Sequence, residues 1–118
     1  MKIVYASRTG NVESIVNQLE MDALKIETGT ESVDEPYVLF TYTDGYGDVP
    51  EEVQTFLEVN NPGLIQGVVV SGDLSYGDAY CVAGDTIADQ MGVECLYKVE
   101  NDGTPEDIEV IKDKVNSL

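Results

Sequence analysis

The chain has 118 residues, about the size of one compact core, with 23 Asp and Glu against six Lys and Arg, a net charge of −17 and no histidine. So acidic a surface repels nucleic acid and anionic membranes and favours a partner with a basic face. The missing histidine removes the usual general base and the serine and cysteine triads, and the two separated cysteines, Cys81 and Cys95, make neither a zinc set nor a CxxC pair.

In chain order, the first apolar run is KIVYA (2–6), a strand too short for the apolar core of a signal peptide. SRTGN (7–11) follows, and then Val12, Ile15, Val16 and Leu19 share one face of a helix. A weaker strand, ALKIE (23–27), comes next. Residues 28–36 (TGTESVDEP) are too polar and turn-like for a crossover helix, so a bare loop is expected there. YVLFTY (37–42) and IQGVVVS (65–71) are nearly continuous apolar runs, the mark of parallel strands covered on both faces. Between them lies a helix opened by Pro50 with Glu51 and Glu52 in its first turn, carrying Val53, Phe56 and Leu57.

A third helix is expected from about Ala79 to Met91, stopped by Gly92. ECLYKV (94–99) is the fifth strand. TPED starts the last helix, with Thr104 as cap, Pro105 in the first turn and Ile108, Ile111 and Val115 as its buried stripe. No run approaches the roughly 20 apolar residues of a membrane span. The order βαββαβαβα predicts a single domain, residues 1–118, with an open parallel α/β sheet. The cysteine pattern suits a reducing cytoplasm, and both thiols read as structural.

In such sheets ligands sit beyond the carboxyl ends of the strands. Three loops leave strands at that edge. In the first, Ser7 and Thr9 offer hydroxyls, Gly10 permits close backbone approach and Asn11 can orient the turn, while the first N–H groups of the next helix point at the same spot. That pattern makes a phosphate cradle with little need of positive charge, or else an ordinary capped helix start. The second loop, TDGYGDVP (43–50), and the third, SGDLSYGDAY (71–80), each carry a tyrosine next to glycine, as walls for a planar ligand would.

SRTGN resembles the FMN phosphate loop of flavodoxin-like proteins. More narrowly, TYTDGYGDVPEEVQTFLEVN and SGDLSYGDAY resemble the NrdI family, the small flavodoxin-like partner of class Ib ribonucleotide reductase. The likeness spans almost the whole chain, short length and missing crossover helix included. It implies a flavodoxin-like five-stranded parallel sheet of order 2-1-3-4-5, with helices on both faces and none between strands 2 and 3. It implies FMN as cofactor, its phosphate held by Ser7, Arg8, Thr9, Gly10 and Asn11, with Val12 continuing into the helix. Thr43, Asp44, Gly45, Tyr46 and Gly47 would line the isoalloxazine, and Ser71, Gly72, Tyr76, Gly77 and Asp78 would close the other side. Asp78 would accept from the flavin N3–H. Two positions depart from the family's habit: tryptophan often stands where this chain has Tyr76, and the Tyr80-Cys81 pair is unusual.

The implied function is that of a redox accessory protein rather than a stand-alone enzyme. The flavin, reduced by an electron donor, reacts with dioxygen and supplies superoxide to assemble the dimanganese-tyrosyl radical cofactor of the reductase small subunit. The alternative is a generic short flavodoxin serving another redox partner. A phosphoacceptor receiver domain fits poorly, because the first strand ends in Ala6-Ser7 and the third in Tyr42-Thr43 where acidic residues are needed. A small phosphatase of similar topology would need a cysteine in the first loop, and SRTGN has none.

Overall fold

The computed structural model describes residues 1–118. Five strands form one parallel sheet: β1 (Lys2–Tyr5), β2 (Ala23–Lys25), β3 (Tyr37–Tyr42), β4 (Ile65–Gly72) and β5 (Glu94–Glu100). Their order is β2-β1-β3-β4-β5 and every pairing is parallel, as the resemblance implies. Three helices cross between them, α1 (Asn11–Leu19), α2 (Glu51–Val59) and α3 (Val82–Met91), and α4 (Pro105–Asn116) follows β5. None is long and apolar enough to cross a membrane.

The sheet is buried on both faces because its side chains alternate between two cores. Ile3, Val38 and Phe40 point to one face, where α1 brings Val12, Ile15, Val16 and Leu19, and α4 brings Ile108, Ile111 and Val115. Val4, Tyr37 and Leu39 point to the other, against Val53 and Phe56 of α2 and Ile87 of α3. The Tyr37 and Phe56 rings meet edge to face with centroids 5.8 Å apart. Gly84 lets α3 approach closely, since a Cβ there would stand 2.4 Å from Val70 Cγ1. At the start of α4 the Thr104 hydroxyl accepts from Asp107 N–H while Asp107 accepts from Thr104 N–H, a reciprocal cap.

The connection between β2 and β3 is a bare loop, yet an ordered one. The Glu31 carboxylate accepts from the N–H groups of Glu27, Thr28 and Gly29 at 2.8–3.1 Å. Asn60, at the end of α2, donates to the Glu31 carbonyl and accepts from Val33 N–H. Partial burial pushes the Glu31 carboxyl up, but the backbone donors outweigh it and hold it at about 2.

One expected boundary moves. The third helix begins at Val82 rather than Ala79, because Leu74–Ala79 forms a short 3-10 segment. Gly77 kinks that segment at φ 56°, ψ −120°, and Cys81 sits in the left-handed region just before α3. The glycine and the left-handed cysteine break the α-helical run that periodicity suggests. Cys81 itself is buried, and burial pushes its thiol up to about 11.

Candidate functional site

Four loops meet at the carboxyl edge of the sheet around a cleft of about 330 Å³. Three are those read from the sequence. The fourth is the turn after β5, and it contributes Asn101.

The first loop is shaped by Gly10, which precedes α1 with φ 94° and has no side chain to cap the helix. The cap comes from further back, where Ser7 Oγ accepts from Glu13 N–H at 3.2 Å. That bond uses an oxygen lone pair and leaves the Ser7 hydroxyl hydrogen free to donate. The N–H groups of Thr9, Gly10, Asn11 and Val12 have no protein acceptor. A Cβ at Gly10 would meet no atom within 4 Å, so it is the positive φ and not crowding that calls for glycine there. Free N–H groups, a helix N-terminus and a hydroxyl on one opening make an anion cradle of neutral donors.

The second loop is closed by a reciprocal backbone pair: Asp44 N–H donates to Asp48 carbonyl and Asp48 N–H to Asp44 carbonyl, both at 2.8 Å. Gly45-Tyr46-Gly47 forms the tip, with φ 50° at Gly45 and 107° at Gly47. This tip is a wall between two clefts. Gly45 faces the one just described, whereas Gly47 and Asp48 face a second cleft of about 360 Å³ between α2 and α3. The second is floored by Leu57 and Met91 and has no free helix N-terminus, so the smaller cleft is the candidate site.

The third loop is fastened to the fourth. Ser71 Oγ donates to the Asn101 carbonyl at 2.6 Å, and Asn101 N–H donates to the Gly72 carbonyl at 2.8 Å. Asp73 accepts from Ser75 N–H, and that bond lowers its carboxyl from the ordinary range. Thr43 extends the β3–β4 pairing by donating both its N–H and its hydroxyl to the Ser71 carbonyl.

Of the residues singled out in the sequence, Ser7, Arg8, Thr9, Asn11, Val12, Thr43, Asp44, Gly45, Ser71, Gly72 and Tyr76 line the cleft. Gly10 shapes it without lining it. Tyr46, Gly77 and Asp78 are exposed beyond its wall, and Gly47 belongs to the neighbouring cleft. The two tyrosines do not face each other across a gap. Their rings touch edge to face at 5.4 Å, where a planar ligand between them needs about 7 Å, two contact distances of about 3.5 Å. With 83% of Tyr46 and 45% of Tyr76 still exposed, each ring shields the other from water.

Tyr42 and Asn101 also line the cleft and were not singled out, and Asp73 of the third loop lines it as well. Tyr42 ends an apolar strand and looks like core. Asn101 belongs to a turn whose position beside Gly72 depends on the pairing of β4 with β5. The Arg8 guanidinium is ion-paired with Asp44 and lies over the Tyr42 ring, 4.8 Å from its centroid. Tyr42 in turn donates its hydroxyl to Glu52 at 2.6 Å. The Asp44 bond, with Tyr42 and Glu52 nearby, raises the Arg8 pKa, and burial and then Glu52 raise that of Tyr42.

Comparison with known proteins decides the family. Residues 3–113 match the family described as NrdI flavodoxin-like. The chain belongs to that family. It is a flavodoxin-like FMN redox protein. Among solved structures it is similar to a short-chain flavodoxin associated with a non-canonical PDU bacterial microcompartment, at 26% identity and TM-score 0.77 over 99% of this chain and 94% of that one. Oxidised flavodoxin 2 from Bacillus cereus shares the fold at 24% identity and TM-score 0.70, over 99% and 98%. So does the Fusobacterium nucleatum flavodoxin bound to flavin mononucleotide, at 16% identity and TM-score 0.66, over 98% and 94%.

Proposed function

We propose that the 118 residues act as one FMN-binding domain that serves a class Ib ribonucleotide reductase. In this reading the protein takes electrons from a donor, passes one to dioxygen, and delivers the resulting superoxide to the dimanganese small subunit, where the tyrosyl radical is assembled. The observation that carries the cofactor part is the set of free N–H groups from Thr9 to Val12 opening on the same cleft as the glycine-rich 43–48 loop. A phosphate with no further group beyond it suits that cradle. When bound, the flavin supplies one-electron chemistry toward dioxygen.

The chain's own residues bind and orient. Ser7, Thr9, Asn11 and the α1 N-terminus hold the phosphate end. Thr43, Asp44, Gly45, Tyr46, Ser71, Gly72 and Tyr76 hold the ring end, with Tyr46 and Tyr76 separating to admit it. Gly45 and Gly47 let a peptide at the tip turn over at small steric cost, presenting a carbonyl to a protonated ring nitrogen. Gly77 gives the opposite wall the same freedom, which an N3–H contact by Asp78 requires. The acidic surface steers the flavin edge toward a basic partner surface.

The test has two arms. Titration of apoprotein with FMN, followed by flavin fluorescence, should show stoichiometric quenching, and protein that leaves the fluorescence unchanged overturns the cofactor assignment. Reduced protein, manganese-loaded small subunit and dioxygen together should then yield the tyrosyl radical by electron paramagnetic resonance, with superoxide dismutase lowering the yield. Flavin binding without radical favours a flavodoxin that serves another redox partner.

A further inference from the structure

We propose that Arg8 and Asp44 form a charge latch across the cleft, and that a phosphate-bearing ligand binds by taking the guanidinium away from Asp44. The proposal rests on the FMN reading above and adds to it a control on phosphate affinity. Arg8 is the one cation in the wall of the cleft. Its backbone belongs to the phosphate loop, but its side chain reaches away from that loop to Asp44 at the base of the 44–48 hairpin.

Both partners are about half exposed, 56% and 42%, so the pair contributes little to folding. Its effect is placement. The Tyr42 ring supports the guanidinium from one side, and the Glu52 bond to the Tyr42 hydroxyl holds that ring still. The Asp44 backbone is held by its two bonds to Asp48, so its short side chain can follow the arginine only as far as its own rotation reaches. Side-chain rotation alone can carry Arg8 from Asp44 toward its own loop, with no backbone change.

A bound phosphate dianion competes with a single carboxylate charge and is backed by the free α1 amides, so it wins the guanidinium. Asp44 is then left beside an anion without its partner. Affinity for phosphate is therefore set below what the cradle with an unpaired Arg8 would give, and a ligand without phosphate gains nothing from the exchange. Riboflavin, which has the ring and no phosphate, is the natural control.

The experiment measures FMN and riboflavin dissociation constants by fluorescence quenching for wild type, Asp44→Asn, Arg8→Gln and the double variant. Asparagine preserves the Asp44 backbone pair with Asp48, and circular dichroism verifies the fold of each variant. Asp44→Asn should raise the preference for FMN over riboflavin by about tenfold, and Arg8→Gln should lower it by a similar factor. In the double variant the Asp44→Asn gain should disappear. The Arg8 Nε–H resonance should move on adding FMN and stay in place on adding riboflavin. An unchanged or reduced FMN preference in Asp44→Asn, or a gain that survives in the double variant, overturns the latch. Wild type that binds riboflavin but not FMN also overturns it, whereas wild type that binds neither defeats the flavin reading itself and the latch with it.

Discussion

At one end of the cleft the donors are backbone N–H groups of α1, set by a single left-handed residue, Gly10, and by the Ser7 bond to Glu13. At the other end two exposed tyrosines stand on glycine-rich turns with their rings edge to face. The end proposed for phosphate is set in advance because helix formation orients its donors before any ligand arrives. The ring end is adjustable because few packing contacts fix it. A binding site so divided can anchor one part of a ligand while reshaping around another.

The largest break in this comparison should come at Gly10. Valine there must adopt φ near 94° or shift the loop, and a shifted loop misaligns the N–H donors on either side of it. Gly10→Val should weaken FMN binding by about a hundredfold and cost about 1–2 kcal/mol of stability. Calorimetric titration and thermal melts measure both. Near-normal affinity would mean that the cradle is not the phosphate site.

A smaller effect is expected at the adjustable end. Tyr76→Ala removes one wall and the edge-to-face contact, which contributes about 1 kcal/mol at most. FMN affinity should fall about tenfold, while the melting temperature of the apoprotein changes by no more than about 4 °C. Riboflavin should lose as much as FMN, in contrast with Gly10→Val, where the loss should be larger for FMN. Equal losses of the two ligands in both variants would erase the division between the ends.

The same division explains what was legible in the sequence. The order of strands and helices followed from apolar runs and helical periods, and the SRTGN turn was legible as a helix start through local chemistry: a glycine where a left-handed residue is needed, directly before a helix. Residues whose part depends on partners distant in the chain were harder to see. Tyr42 joins the cleft through Arg8 and Glu52, and Asn101 through Ser71 and Gly72. No local pattern marks such contacts. The late start of α3 was hidden for a related reason, since Cys81 takes a left-handed conformation that sequence propensity disfavours and buried surroundings impose. Loop 28–36 was legible as a loop but not as an ordered one, because its order comes from the Glu31 carboxylate binding three N–H groups and from Asn60, distant in the chain, bonding Glu31 and Val33.

That loop offers a third kind of region, rigid without being helical and remote from the cleft. The Glu31 carboxyl is lowered from 4.5 to about 2, so it contributes stability above the unfolded value near 4.5 and loses it as pH falls through about 2. Glu31→Gln should therefore cost stability at pH 7, about 1 kcal/mol once solvent screening of this partly exposed group is allowed for. The difference from wild type should shrink steadily between pH 4.5 and 2 in urea melts. FMN affinity should stay within twofold of wild type. A Glu31→Gln deficit that is the same at pH 3 and pH 7 would show that the carboxylate charge is not what orders the loop.

The smallest expected effect lies on the outer face of the hairpin that separates the two clefts, and it asks whether the ring end is also the docking end. Asp48 and Asp73 both carry charge beside it, but Asp73 caps the 3-10 segment through Ser75, so reversing it disturbs structure as well as charge. The Asp48 side chain is exposed and accepts no hydrogen bond, while its backbone alone closes the hairpin, so Asp48→Lys isolates the electrostatic contribution. Against the reductase small subunit, this change should slow association about threefold at low salt and leave dissociation nearly unaltered, because steering acts before contact. The difference should vanish by roughly 0.5 M salt, where the screening length falls to a few ångströms. Stopped-flow or surface-binding kinetics across a salt series decide it. A charge reversal at Asp48 that changes only dissociation would place this residue inside the contact rather than on its approach, and one without effect at any salt would move the docking face away from the hairpin.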